Sequence, residues 1–169
     1  EFSPAMRRVI ADSTHWAAVS RRAVLSFESK YSLRLYLYIG LRVNRRQTSE
    51  DISLEDLREI LGVTDGTFRR WQDLRRFAID RAVAEINQLA GFTVAYEPTK
   101  RGRRVTGVRL AWGRKATPDL VETQRELDRP RVGRTARRDG LVETIAQERH
   151  RLAESLANAP SLIRFSEPD

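Results

Sequence analysis

The chain has 169 residues, a net charge of +8, no cysteine and two histidines, His15 and His150, far apart in sequence. It can therefore form no disulfide and no thiolate metal site, and the absence of cysteine is compatible with a reducing, cytoplasmic setting. Residues 63–115 hold 12 Lys/Arg against 5 Asp/Glu while both flanks are close to neutral, a localised basic footprint that points to a polyanion partner. No apolar run of about 18 residues exists and the basic stretch opposes no free apolar face, so nucleic acid is favoured over a membrane.

The length suits one core of about 90 residues with extensions. Because the sequence opens at Glu1, with neither Met nor an apolar leader, the expectation is a fragment of something longer. Residues 1–28 scatter Val9, Ile10, Trp16, Val19, Val24, Leu25 and Phe27 among Arg pairs with weak helical spacing, and read as a connector or the remnant of a preceding domain. From Ser29 the spacing predicts a core helix ending near residues 44–46, with Leu33, Tyr36, Leu37, Gly40, Leu41 and Val43 on its apolar stripe. Ile52 alone offers a minimal strand. Ser53 then starts S-L-E-D, a capping-box-like signal with Asp56 in the reciprocal position. Leu54, Leu57, Ile60 and Leu61 face inward until Gly62 stops the helix.

The turn V-T-D-G-T at 63–67 separates this short helix from a long one, expected from Phe68 to Ala90, and the pair makes a helix-turn-helix. Trp71, Leu74, Ala78, Ile79, Ala82, Val83, Ile86, Leu89 and Ala90 define the buried face of the long helix. The opposite face carries Arg69, Arg70, Gln72, Asp73 and Arg76 in its first half and milder residues, Asp80, Ala84 and Asn87, in its second. A first half entering a groove and a second half packed in the domain would explain that asymmetry. Arg can bond guanine O6/N7 and Gln adenine N6/N7 in the major groove. Asp73 either accepts from a cytosine amino group or pairs with Arg69 or Arg76, and the ion pair is favoured. Arg75 lies nearer the apolar side and comes last in the order Arg69, Arg70, Arg76, Gln72, Arg75.

Beyond Gly91, Phe92, Val94 and Tyr96 alternate, as do Val108, Leu110 and Trp112, predicting two half-buried strands. Between them Lys100, Arg101, Arg103 and Arg104 crowd around Gly102, four cations suited to gripping phosphates. The expected fold is α+β and mainly helical: a winged helix-turn-helix with a two-stranded wing over 29–115, followed by a basic linker and helical extension at 116–169. Such a fold would read duplex DNA with its long helix in the major groove.

Four blocks carry a closer resemblance. They are S-K-Y-S-L-R-L-Y at 29–36, S-L-E-D-L-R-E-I-L-G-V at 53–63, F-R-R-W-Q-D-L-R-R-F-A-I-D-R-A-V-A-E-I-N at 68–87 and K-R-G-R-R-V-T-G-V-R-L at 100–110. In order and spacing they resemble the second winged-helix domain of iteron-binding plasmid replication initiators, over roughly residues 24–112. The resemblance implies binding to direct repeats at a plasmid origin, with Arg69, Arg70, Gln72, Arg75 and Arg76 as reading residues and Lys100, Arg101, Arg103 and Arg104 on the backbone. It also implies a phosphate contact from Lys30, and partners among host replication proteins such as an initiator or helicase, with self-association. It departs from the family in lacking a matched first winged helix, so dimeric repression by this chain is doubtful, and in having no matched pattern after Arg114.

That extension is expected to contain a short helix at 119–128, a basic run at 129–138 that is a solvated linker or a second DNA contact, and a helix at 140–158. Leu141, Ile145, Leu152 and Leu156 give the last helix a thin apolar stripe, for packing back or for docking a partner. Trp71 and Trp112 fall on apolar faces and read as core aromatics, with base stacking as the sharper alternative. Tyr31, Tyr36 and Tyr38 raise the alternative of a nicking enzyme, but no paired His or carboxylate cluster accompanies them to hold a metal. No phosphate-loop motif is present, and no cofactor is expected. The sequence therefore reads as a non-enzymatic DNA-binding module, with a winged-helix transcription regulator, including one acting on its own promoter, as the alternative.

Overall fold

The computed structural model describes residues 19–140, which fall into two compact units divided between Arg129 and Pro130. In chain order the first unit contains α1 (Arg21–Ser26), α2 (Lys30–Gly40), β1 (Ser49–Ser53) and α3 (Leu54–Leu61). A turn leads to α4 (Trp71–Leu74), which runs through one π-helical turn, Arg75–Ile79, into α5 (Asp80–Leu89). β2 (Phe92–Arg101), β3 (Arg104–Arg114) and α6 (Thr117–Asp128) complete it. This is the expected winged helix-turn-helix, with α2, α3 and the α4–α5 rod against a sheet.

Serines start the first three helices, as their preference for the N-cap requires. Ser20, Ser29 and Ser53 accept from the backbone N–H of Ala23 (3.4 Å), Tyr31 (3.2 Å) and Asp56 (3.0 Å). At Ser53 the box closes through side chains alone, the hydroxyl donating to the Asp56 carboxylate at 2.7 Å. Gly62 ends α3 at φ +62°, the left-handed C-cap the sequence signalled.

The buried stripe of α2 is rotated from the expected one. Ser32, Leu35, Tyr36, Ile39 and Gly40 face inward, whereas Leu37 and Leu41 are 40% and 59% exposed. Tyr36 sets this phase, because its ring stacks on Phe92 (5.3 Å, 10° between planes), lies 5.0 Å from Phe27 and takes the Ser20 N–H on its hydroxyl. Ala23 joins the same core, so α1 packs on the domain.

The sheet is antiparallel with order β1-β3-β2, and β1 is five residues long where the sequence promised only Ile52. Phe92, Val94, Val108, Leu110 and Trp112 form its buried face, as the alternation predicts. The Asn87 side chain seals the outer edge of β2, giving its amide to the Val94 carbonyl (2.9 Å) and accepting the Val94 N–H (2.7 Å). By strand parity the N–H that Pro98 lacks would point outward on that same edge, so the proline interrupts no ladder bond. Lys115, half-buried, donates to the Asn87 carbonyl and to Thr123 Oγ (2.6 Å), fastening α6 to the end of α5. Its removal from water lowers the pKa of its ammonium.

In the second unit the described residues hold only the short α7 (Arg134–Arg138), where Arg137 donates to the carbonyls of Pro130 (2.8 Å) and Val132 (3.1 Å). The readings made for residues 1–18 and for the helix beyond Gly140 lie outside the described residues. Among those described, no helix is long and apolar enough to cross a membrane.

Two tests of this packing follow. A Cβ on Gly107 would sit 2.4 Å from the Ile52 carbonyl oxygen, so Gly107→Ala should push β1 off β3. Overpacking of this kind costs about 1–3 kcal/mol, to be read as a lower urea midpoint. Tyr38 donates to Glu50 (2.9 Å), which also takes Arg42 Nε (2.9 Å), and burial, followed by the Glu50 bond, raises its pKa from 10.0 to about 12. The folded state thus holds this proton more tightly than the unfolded chain. The associated stability is complete below pH 10 and disappears as the pH approaches about 12. Urea titrations across that window should show a shallower alkaline loss in Tyr38→Phe than in the parent.

Candidate nucleic-acid interface

The site is organised by the turn between α3 and α4. Arg58, on the last turns of α3, reaches across it and donates to the carbonyls of Thr67 (3.0 Å) and Phe68. Phe68 adopts φ +50°, which is costly for a bulky residue and found where surrounding contacts over-determine the backbone. Here the contacts are the Arg58 clamp and an aromatic cluster. Tyr31 meets the Phe68 ring edge-on at 5.9 Å, and Phe77 stacks on it at 5.9 Å.

One consequence corrects the sequence reading. The helix does not run from Phe68; it begins at Trp71, with Arg70 as an extended N-cap. Arg69 and Arg70 therefore stand in the loop ahead of the helix, exposed and directed by the turn instead of by helical phase. A left-handed Phe68 cannot belong to an α-helix, and helical periodicity alone carries no sign of it. Gln72 and Arg76 do lie on the solvent face as expected, with the Arg76 guanidinium 5.4 Å from the Phe77 ring.

A second correction concerns Asp73. It forms no ion pair with Arg69 or Arg76; the acid that engages a reading-helix arginine is Asp80, whose Oδ2 lies 3.4 Å from Arg75 Nε. Tyr96 of β2 donates its hydroxyl to the other oxygen of Asp80. Burial, then the Asp80 bond, pushes the Tyr96 pKa up to about 12, and Tyr96 and Asp80 raise that of Arg75. This three-residue contact joins the α4–α5 rod to the strand that leads into the wing. Lys100 is four residues further along that strand, a reach of about 13 Å.

The wing itself is a two-residue turn. Arg101 pairs with Arg104, and Gly102 takes φ +64° at the first turn position, where a Cβ would be strained. A register shift between Thr99 and Lys100 leaves Thr106 as the extra residue of a bulge, which adds twist and re-aims the tip. Lys100, Arg101, Arg103 and Arg104 are all exposed there.

Arg58 and Lys115 are committed to the fold as described, Arg42 pairs with Glu50, and Arg109 with Asp51 through two bonds of 2.8 and 2.9 Å. Arg81 faces Glu28 at 3.7 Å, and Arg114 bonds Asn44. Arg69, Arg70, Arg76, Lys100, Arg101, Arg103 and Arg104 have no carboxylate partner among the described residues. Lys30 also lacks one; its Nζ lies 5.1 Å over the Tyr31 ring. The ring chain Tyr31, Phe68, Phe77 thus has Lys30 at one end and Arg76 at the other, bringing the start of α2 to the reading helix. The basic run at 129–138 is partly spent on local pairs, Arg129 with Glu122 and Glu126 (3.4 and 3.5 Å) and Arg138 with Asp139 (3.6 Å).

The remaining salient residues take structural places. Trp112 is buried and Trp71 half-buried against the core. Tyr36 and Tyr38 are held as described, and no group of three or more His, Cys, Asp or Glu among the described residues could hold a metal ion. Sequence reasoning missed Arg58, Phe68, Asp80 and Tyr96. Only Arg58 had a legible signal, a cation at the end of the first helix of a helix-turn-helix with bare turn carbonyls ahead of it.

No curated protein matches this chain. Among solved structures, one similar chain comes from a crystal structure of the Pi initiator protein in complex with iteron DNA, at 22% identity and a TM-score of 0.48. The match covers 55% of this chain and 42% of that one, so the chain spans less than half the length of that relative. A family model described as initiator Rep protein, WH2, matches residues 53–112, from the N-cap of α3 to the end of the buried face of β3. Over that segment, which holds the turn, the α4–α5 rod and the wing, the chain is similar to the second winged-helix domain of initiator Rep proteins.

Proposed function

We propose that this domain binds duplex DNA sequence-specifically at repeated sites of a plasmid replication origin and helps to initiate replication there, with the α4–α5 rod in the major groove and the wing on phosphates. The observation that carries the reading is the set of seven cations without carboxylate partners among the described residues, Arg69 and Arg70 in the loop ahead of α4, Arg76 in the π turn and four on the wing. Arg21, Arg34, Arg45 and Arg46 also lack acidic partners among those residues, but these seven cluster on the two elements of the fold, the helix after the turn and the wing, that together would face one polyanion. The similarity to initiator Rep proteins over residues 53–112 supports a replication origin as the place where that polyanion is met. In this reading Gln72, Arg75 and Arg76 face base edges, while Arg69 and Arg70 in the loop and Lys30 at the start of α2 meet the backbone beside the groove. Lys100, Arg101, Arg103 and Arg104 fix the register. The domain works through binding energy, without catalysis or cofactor, in the cytoplasm. Other copies of the chain and host replication proteins, such as an initiator or helicase, join it on the origin.

Footprinting of the chain across its candidate origin at two salt concentrations tests this. Several regularly spaced, protected direct repeats are expected. A single palindromic footprint would assign the domain to transcriptional regulation instead, and protection without sequence preference would remove the origin reading. Substitutions sharpen the test. Arg76→Ala should lower the ratio of specific to random binding, by about 1–3 kcal/mol at one base pair. Arg101→Ala should weaken all sequences alike and reduce the salt slope by about 1. Equal losses on cognate and random DNA for Arg76→Ala would refute its placement at the bases.

A further inference from the structure

Resting on the reading that this surface binds duplex DNA, we infer that Arg75 reads a guanine, and that Asp80 and Tyr96 are positioning residues that hold it for that purpose. The inference starts from the backbone. In an α-helix, residues five apart point about 140° away from each other, so Arg75 and Asp80 could not meet. They meet because the helix contains a π turn whose i→i+5 bond runs from the Asp80 N–H to the Arg75 carbonyl, stacking the two side chains. A π turn within an α-helix is uncommon and concentrates at functional sites. Here its visible product is the contact between Arg75 Nε and Asp80 Oδ2.

Asp80 is itself held from a second element, its Oδ1 taking the Tyr96 hydroxyl from β2. Both carboxylate oxygens are thus engaged, and Arg75 adds a bond of its own to Tyr96, so the strand also holds the guanidinium directly. The Arg75 side chain remains 53% exposed, too open for its ion pair to contribute much to stability. What the contact does provide is order. A guanidinium steered by Asp80 and Tyr96 has lost rotamer freedom before binding, and its planar fork of five donors is the group that matches guanine O6 and N7. Arg76, one residue on, has only the face of Phe77 beside it. Arg75, which helical phase ranks last, becomes the best-oriented arginine of the helix.

The test is a set of binding profiles for the whole chain on duplexes varied base by base across the footprinted site, together with random DNA at two salt concentrations. Arg75→Ala should lose roughly 10- to 100-fold discrimination at one guanine. Tyr96→Phe and Asp80→Asn should lose part of it at that same base pair, with affinity for random DNA and the salt slope unchanged. Tyr96→Phe should add nothing in an Arg75→Ala background, and 7-deazaguanine at that position should reproduce the loss in the parent. A Tyr96→Phe profile identical to the parent, a loss at a different base pair, or a uniform loss for Arg75→Ala would overturn the inference while leaving the DNA-binding reading intact. Should Asp80→Asn fail to fold, Tyr96→Phe decides alone. A parent with no preference among sequences would remove the DNA-binding reading and this inference together.

Discussion

The geometry of the helix-turn-helix depends on one guanidinium. Arg58 places its N–H donors on the carbonyls of Thr67 and Phe68, two acceptors that the turn would otherwise leave without a partner. Charge-assisted bonds of this kind contribute about 1.5–3 kcal/mol each, enough to offset the strain of a left-handed phenylalanine, of order 1–3 kcal/mol. With Phe68 held there, its ring drops between Tyr31 and Phe77, the chain leaves the turn extended, and the helix starts three residues later than its periodicity allows. Arg69 and Arg70 stand where they do because Arg58 does.

From that start the rod has to satisfy two demands. Its second half must lie on the sheet, which Ala82, Ile86 and Leu89 accomplish, and its first half must present polar groups beside the wing. The π turn lies at the junction and changes the phase between the halves. Across it Asp80 serves both, bonding Arg75 on the exposed side and Tyr96 on the strand. Glu85, nearly fully buried in the second half, does a related task inward, its carboxylate 3.4 Å from the Ser29 N–H at the start of α2. Asp80 and Glu85 thus each join the rod to another element of the fold.

Much of this was legible in the sequence and some was not, for reasons that differ by residue. Strand alternation at Phe92, Val94, Val108, Leu110 and Trp112, the Ser53 cap and the Gly62 stop are local signals, and each appears in the structure. The phase of α2 was misread because its leucines recur at positions 33, 35, 37 and 41, so two stripes are nearly equally apolar. Only the stacking of Tyr36 on Phe92, more than fifty residues away, chooses between them. β1 was invisible beyond Ile52 because an edge strand of Ser, Glu and Asp is held by ladder bonds to β3 and by the Asp51–Arg109 pair, with little propensity of its own. The candidate reading residues are all exposed in the structure, yet their order depends on an unbroken helix, and neither Phe68 nor the π turn announces itself in a pattern of period 3.6.

The wing shows why the unpaired cations belong to function more than to stability. Four positive charges around a two-residue turn repel one another, though weakly in water, by about 0.6 kcal/mol for a pair 7 Å apart. Nothing nearby lowers that cost: Glu97, the nearest acid in the hairpin, lies opposite Arg109, which Asp51 already holds. A hairpin shaped for stability alone would place carboxylates across the strands, where opposite charges contribute up to about 1 kcal/mol per pair. This one instead spends a bulge at Thr106 and a strained-for-others turn at Gly102 to turn its cations outward. Phosphates lying between the side chains would remove the repulsion, so in the proposed reading the free wing carries a small electrostatic strain that binding relieves. Relief of that strain, and release of the counterions that partly mask it, would make the proposed association depend on salt.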